Sequence, residues 1–190
     1  MKHLVVAIAL AAAGAPVSAQ PVVIEGVEFQ STAQVGGQTL QLNGAGIRRR
    51  AIFKVYAAGL YVPQRTSSAA ALLAQKGPRR VAISMLRDVD GDTFSGAVLD
   101  GLEANHTERE LAGLAPRIET LLANLKAIGE VRQGDLIHFD FTPEAGTRIV
   151  VGGRRQGSAI PGDDFFTAVL RVWVGDEPVD PGLKVDLLGP

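Results

Sequence analysis

With 190 residues, no cysteine, and 19 basic against 20 acidic side chains, the chain can form no disulfide, thiolate nucleophile or cysteine-held metal site. Its near-neutral charge, with no block of five like charges, excludes the electrostatic footprint of a nucleic-acid binder. Stability must come from packing.

Lys2 and His3 precede an apolar run from Leu4 to Ala13 and a small-residue stretch ending Val17-Ser18-Ala19. This is the pattern of a cleaved secretory signal peptide over residues 1–19, cut after Ala19. A membrane-spanning helix needs about 20 apolar residues, and Gly14 and Pro16 interrupt this run earlier. The expected mature protein, residues 20–190, is therefore periplasmic or otherwise secreted, with no stable membrane span after cleavage. It has the length of one domain, and the sequence carries no indication of oligomeric state.

Short strands are expected between Val22 and Leu42, separated at Gly36-Gly37, and a further strand or hairpin from Gly46 to Val62. There Phe53, Val55 and Ala57 alternate against Lys54, Tyr56 and Ala58. Thr66-Ser67-Ser68 caps a short helix from Ala69 to Lys76, stopped by Gly77-Pro78, and a strand follows from Arg80 to about Arg87. Phe94, Val98 and Leu102 recur at helical spacing, with Asp92 as the expected cap, and Thr107 to Glu110 has the capping-box pattern. Pro116 breaks the next segment near Gly113 in this reading. A second part then buries Leu114, Ile118, Leu121, Leu122 and Leu125 and ends at Ile128. Strand periodicity returns at Leu136–Phe141 and Thr147–Val151, with Gly152-Gly153 as a tight hairpin turn. A last helix starts at Gly162 or Asp163, turns Phe166, Val169, Leu170 and Trp173 inward, and ends at Gly175. This order indicates an α+β fold, an antiparallel sheet covered on one face by helices.

Familiar chemical motifs fail on inspection. Asp88-Val89-Asp90-Gly91-Asp92 opens like a calcium loop, but Thr93 stands where glycine is required and Leu99 where the bidentate glutamate belongs. Gly44-Ala45-Gly46 starts like a dinucleotide fingerprint, but Arg49 occupies the third glycine position and no helix pattern follows. His106 and His138 have no second ligand at metal-binding spacing, and no Gly-x-Ser-x-Gly elbow is present. No metal and no cofactor are expected.

Arg48-Arg49-Arg50 stands out, because three charges fall in an apolar, strand-like stretch. They either protect an edge from aggregation or turn one guanidinium inward, where its fork of donors suits a carboxylate or enolate oxygen. On one unbroken strand Arg48 and Tyr56 would stand about 26 Å apart. A turn between them would bring both onto neighbouring strands, although residues 47–56 contain no Asn, Asp or Gly to favour it.

Gly44-Ala45-Gly46-Ile47-Arg48, with Phe53-Lys54-Val55-Tyr56-Ala57-Ala58-Gly59-Leu60-Tyr61, resembles a segment of the chalcone isomerase family, especially its bacterial exported branch. The likeness continues through Leu86-Arg87-Asp88-Val89 to Ile160-Pro161-Gly162-Asp163-Asp164-Phe165-Phe166, nearly the whole mature chain. It implies a chalcone-isomerase-like open-faced β-sandwich: a large antiparallel sheet covered on one face by helices, with a ligand cleft between sheet and helices. In the plant enzymes an arginine, matched by Arg48, stabilises the substrate oxyanion. Their strand threonine is matched by Tyr56, and their active-site tyrosine by Phe94, which has no hydroxyl; Thr93 is the neighbouring alternative donor.

The family also contains fatty-acid-binding members in which an arginine and a tyrosine hold the carboxylate. The resemblance therefore implies, first, non-catalytic binding of a fatty acid or other small carboxylate by Arg48, Tyr56 and Phe94. A second expectation is an isomerase of the intramolecular lyase type with Arg48 and Tyr56 as catalytic groups. A third is a scaffold or partner-binding protein with Arg48 exposed.

Overall fold

Val22–Ile24 (β1) and Val27–Phe29 (β2) form a small antiparallel hairpin, the first of the short extended pieces expected here. The computed structural model describes residues 20–189, so the export segment expected at residues 1–19 lies outside the described residues. Thr32–Val35 (β3) turns at Gly36-Gly37 into the long strand Gln38–Arg50 (β4), which turns again into Phe53–Val62 (β5). Ser68 caps the short helix Ala69–Ala74 (α1) by accepting the Ala71 amide, and Arg79–Met85 (β6) re-enters the sheet beside β5.

Val89–Asp90 (β7) leads into Gly91–Ala104 (α2), whose cap is Asp90 rather than the expected Asp92. Asp90 accepts both the amide and the hydroxyl of Thr93, at 2.8 and 2.6 Å, the geometry that satisfies a free first-turn donor. Glu108–Lys126 (α3) opens with the expected capping box: Thr107 receives the Glu110 amide, and Glu110 receives the Thr107 amide. Contrary to the sequence reading, α3 runs through Pro116 without a break. Pro116 and Ala112, whose carbonyl loses its partner, both face water, while Leu114, Ile118, Leu121 and Leu125 continue one buried stripe across the proline. Leu122 is half-buried at the edge of that stripe.

Glu130–Val131 (β8) pairs with β7, and Leu136–Thr142 (β9), Gly146–Val151 (β10) and Arg154–Ile160 (β11) form a meander. Gly152 and Gly153, at φ 54° and 80°, make the β10–β11 turn as expected. Asp163–Val174 (α4) buries Phe166, Val169, Leu170 and Trp173. Pro181–Leu188 (α5), capped by Asp180, is an element the sequence reading omitted.

The main sheet has seven strands in the order β11-β10-β9-β6-β5-β4-β3, each neighbour antiparallel. The helices cover one face, where Leu60, Ile83, Phe139 and Ile149 of the sheet meet Leu102, Leu121, Phe166 and Trp173. On the opposite face is a smaller apolar patch, in which Phe29 of β2 and Val35 of β3 join Leu42, Ala57 and Tyr61; no helix among the described residues contributes to it. The α+β, open-faced arrangement follows the expectation.

Two irregularities position the site. β3 pairs only with Gln38–Gln41, and α5 packs along β4 beyond that point. Asp180 accepts the Arg49 amide at 2.7 Å, and the Asn43 side chain donates to the Leu187 carbonyl at 2.7 Å. A Cβ at Gly44 would run into the Asp186 carbonyl, and one at Gly46 into the Asp186 side chain. These glycines admit the helix. The second irregularity is a bulge on β5: Arg48 opposes Tyr56, but Arg49 opposes Lys54, leaving Val55 as the extra residue. The expected alternation therefore fails here, and Val55 and Tyr56 both join the helix-side core.

On the open face, His138 of β9 stands near Arg80 and Asp140. Burial, then the Arg80 charge, pushes its pKa below the ordinary histidine value, against the opposing Asp140 carboxylate. The unfolded chain takes up this proton near pH 6.5 while the folded chain resists it. Stability is therefore expected to fall as pH drops below about 6.5. Urea denaturation at neutral and mildly acidic pH, with His138→Gln as the variant that loses this dependence, measures the effect.

Candidate functional site

The turn that the sequence left open exists: Arg50 pairs with Phe53, and Ala51-Ile52 connect them. Ala51 takes the left-handed conformation, φ 53°, in place of the glycine or asparagine usual there. Replacing it by glycine relieves that strain at some entropic cost, so Ala51→Gly should raise stability by about 0.5–1 kcal/mol in urea denaturation.

The hairpin sets Arg48 directly across from Tyr56. The Arg48 guanidinium carbon lies 5.5 Å from the centre of the Tyr56 ring, within the range of a cation–π contact. Tyr56 is 2% exposed, and its hydroxyl oxygen accepts the Trp173 indole N–H at 2.8 Å. Burial pushes the phenol above its ordinary pKa, against the opposing pull of the Arg48 charge and the Trp173 hydrogen bond, so Tyr56 is neutral at physiological pH. Arg48 is half-buried, and its Nε–H is enclosed with no hydrogen-bond partner among the described residues. An orphaned donor on a charged group is costly unless something accepts it.

A cleft of about 260 Å³ opens between the β4–β5 hairpin and the start of α2. Val55, Val89, Phe94 and Ala97 give it apolar walls. Arg48, Arg50 and Arg87 contribute positive charge to its lining, and Asp88 and Asp90 negative charge. Phe53 also lines it, with the Arg87 guanidinium 4.6 Å from its ring centre. Asp88 accepts the Gln133 amide at 2.7 Å, and the Thr93 hydroxyl and amide hold the Asp90 carboxyl below the usual carboxylate range. These acids are engaged in shaping loops, and no group of three or more metal-ligating side chains occurs among the described residues. A roomier groove of about 480 Å³ between α3 and α4 is lined by Lys76, Arg117, Asp163 and Asp164, which pair with one another.

Of the three residues the sequence nominated, Arg48 and Phe94 line the cleft, and Tyr56 lies in the core beside Arg48, outside that lining. Thr93, the alternative donor, reaches the cleft but gives its hydroxyl proton to Asp90. The sequence reading did not assign Trp173 to Tyr56, nor Arg50 and Arg87 to the cleft. Trp173 was legible only as an inward residue of the last helix, because contact across 117 residues leaves no local signal.

A curled antiparallel sheet backed by helices, with a cleft where a hairpin meets a helix start, defines an open-faced α+β scaffold. Residues 21–189 match the protein family described as chalcone isomerase-like, and the chain belongs to that family. Among solved structures, it is similar to the fatty-acid binding protein of Arabidopsis thaliana, at 15% identity and a TM-score of 0.68. The similarity covers 89% of this chain and 96% of that one. No curated protein matches it in sequence.

Proposed function

We propose that the protein is a non-catalytic binder of a fatty acid or other small carboxylate, working in the periplasm or otherwise outside the cytoplasm as a member of its family's bacterial exported branch. The carrying observation is the enclosed, unpartnered Nε–H of Arg48 beside an apolar-walled cleft. A carboxylate oxygen there would accept a charge-assisted hydrogen bond, and the tail would lie against Val55, Phe94 and Ala97. Each buried CH₂ adds about 0.8 kcal/mol. The cleft volume falls just below the roughly 300–1,000 Å³ of drug-sized ligand sites, which favours a short or medium chain. In this reading Tyr56 steadies the guanidinium through its ring. The similar Arabidopsis protein, described as fatty-acid binding, supports the ligand class.

An intramolecular lyase would also need a proton donor for a substrate carbonyl. Phe94 has none, the Thr93 proton is engaged, and Tyr56 is sealed behind Arg48. Half-burial of Arg48 beside a cleft likewise argues against a pure scaffold. Export is supported by the leader pattern in residues 1–19; no helix among the described residues is long and apolar enough to cross a membrane.

The test is to express the full chain with export, purify it, extract it with organic solvent, and analyse protein and extract by mass spectrometry. A mature N-terminus at Gln20 with a stoichiometric carboxylate, absent from Arg48→Ala, is expected. An intact Met1 overturns the export reading, and an empty wild-type protein that takes up no added fatty acid overturns the binding one.

A further inference from the structure

The β4–β5 hairpin ends in an unusual surface. Ile52 is 89% exposed and Phe53, beside it in sequence, 52%. Pairing between β5 and β6 stops at Tyr56 opposite Met85, so residues 49–54 project beyond the end of β6. Arg49, Arg50 and Arg87 are exposed around this tip, and none of them forms an ion pair among the described residues. The nearest charged pairing on the hairpin is Lys54 with Glu25, at 2.7 Å on the far side of Phe53 in the chain. Single exposed apolar residues need no explanation. Here two adjacent ones stand on a projecting turn with three arginines that form no ion pair among the described residues, one of which, Arg87, stacks on Phe53; Phe53, Arg50 and Arg87 also line the cleft.

We infer that this hairpin tip docks on an anionic lipid surface. Ile52 and the outer edge of Phe53 enter the boundary between headgroups and acyl chains, while Arg49, Arg50 and Arg87 meet lipid phosphates. The division of labour is that of interfacial anchors: apolar area supplies insertion, and basic residues near the surface select anionic membranes. Asp88 and Asp90, on the cleft wall, oppose binding only if they reach the headgroups, and both are engaged by backbone or side-chain donors. Docking would set the mouth of the cleft against the membrane, giving a carboxylate ligand a route between bilayer and Arg48. That purpose rests on the carboxylate-binding reading, but vesicle binding is measured separately, so either can fail alone.

The experiment is flotation of the mature protein with vesicles of phosphatidylcholine, with and without phosphatidylglycerol, alongside titration with dodecanoate. The wild type should float only with phosphatidylglycerol, and added salt should release it. Ile52→Ser should weaken flotation about tenfold or more through the lost apolar insertion, and Arg49→Gln about fivefold through the lost charge. Neither residue lines the cleft, so dodecanoate binding should be unchanged in both variants, and a normal melting curve verifies their fold. A wild type that ignores phosphatidylglycerol vesicles, or an Ile52→Ser/Arg49→Gln double variant that floats equally well, overturns the inference.

Discussion

Arg48→Ala is expected to weaken binding of a medium-chain fatty acid by about ten- to hundredfold, the loss that follows from removing a hydrogen bond to a charged group worth roughly 1.5–3 kcal/mol. Titration calorimetry of wild type and variant measures it. Residual affinity should rise with each added CH₂ until the cleft is full, because Val55, Phe94 and Ala97 remain. Arg48→Lys should fall between the two, since it keeps the charge but loses the planar fork. The same substitution carries an expectation about stability. The Arg48 Nε–H is enclosed without a partner among the described residues, so without added ligand Arg48→Ala should leave the melting temperature unchanged or raise it. Stability held or gained while binding is lost marks a group retained for its ligand, whereas a packing residue would lose both.

Asp163→Asn is expected to destabilise the fold by about 3 kcal/mol, the lower end of the cost of stranding one partner of a buried ion pair. The Arg79 side chain is fully buried, with its guanidinium carbon 4.9 Å from the Phe141 ring centre and 5.1 Å from that of Phe166. It is bonded to Asp163, and more weakly to Thr167 and the Gly77 carbonyl, both at 3.3 Å. Burial pushes its pKa down, and the Asp163 carboxylate pulls it back up. Asp163 is itself partly open to water and also holds Lys76 at 2.5 Å, which is why the lower end applies. Out of a typical total stability of about 5–15 kcal/mol this is a large share, and it corresponds to a fall of roughly 10 °C in melting temperature. Pairing the change with Arg79→Met should recover much of the loss, because apolar replacements of buried ion pairs are often near neutral. A double variant as unstable as Asp163→Asn alone would point to lost packing around α4 as the cause.

The sequence was most readable where the signal is local. The Thr107–Glu110 capping box, the Gly152-Gly153 turn and the inward face of α4 depend on neighbours within a few residues. Pro116 misled because its cost depends on which side of the helix meets water, and that is decided by the rest of the fold. The helix α5 carried an Asp180-Pro181 start signal, but it is short, contains Gly182, and packs through Leu183 and Leu187 where Gly44 and Gly46 of β4, distant in sequence, leave room.

At the candidate site, the family resemblance pointed to Arg48 and Phe94, which the structure places in one cleft. Tyr56 shows what a pattern cannot carry. The bulge at Val55 shifts the phase of β5 by one residue, and with it Tyr56 goes into the core to meet Trp173. The arginine triplet divides similarly: Arg48 is half-buried at the cleft, Arg49 and Arg50 are exposed, and only three-dimensional packing separates their roles.

The most direct test of the central claim is a nuclear magnetic resonance titration of the labelled mature protein with dodecanoate, following the side-chain Nε–H of Arg48. This resonance is expected to move downfield and to saturate together with the amides of Val89, Thr93, Phe94 and Ala97. An unmoved Arg48 resonance, with shifts confined to the open sheet face around His138 or to the groove between α3 and α4, would contradict it.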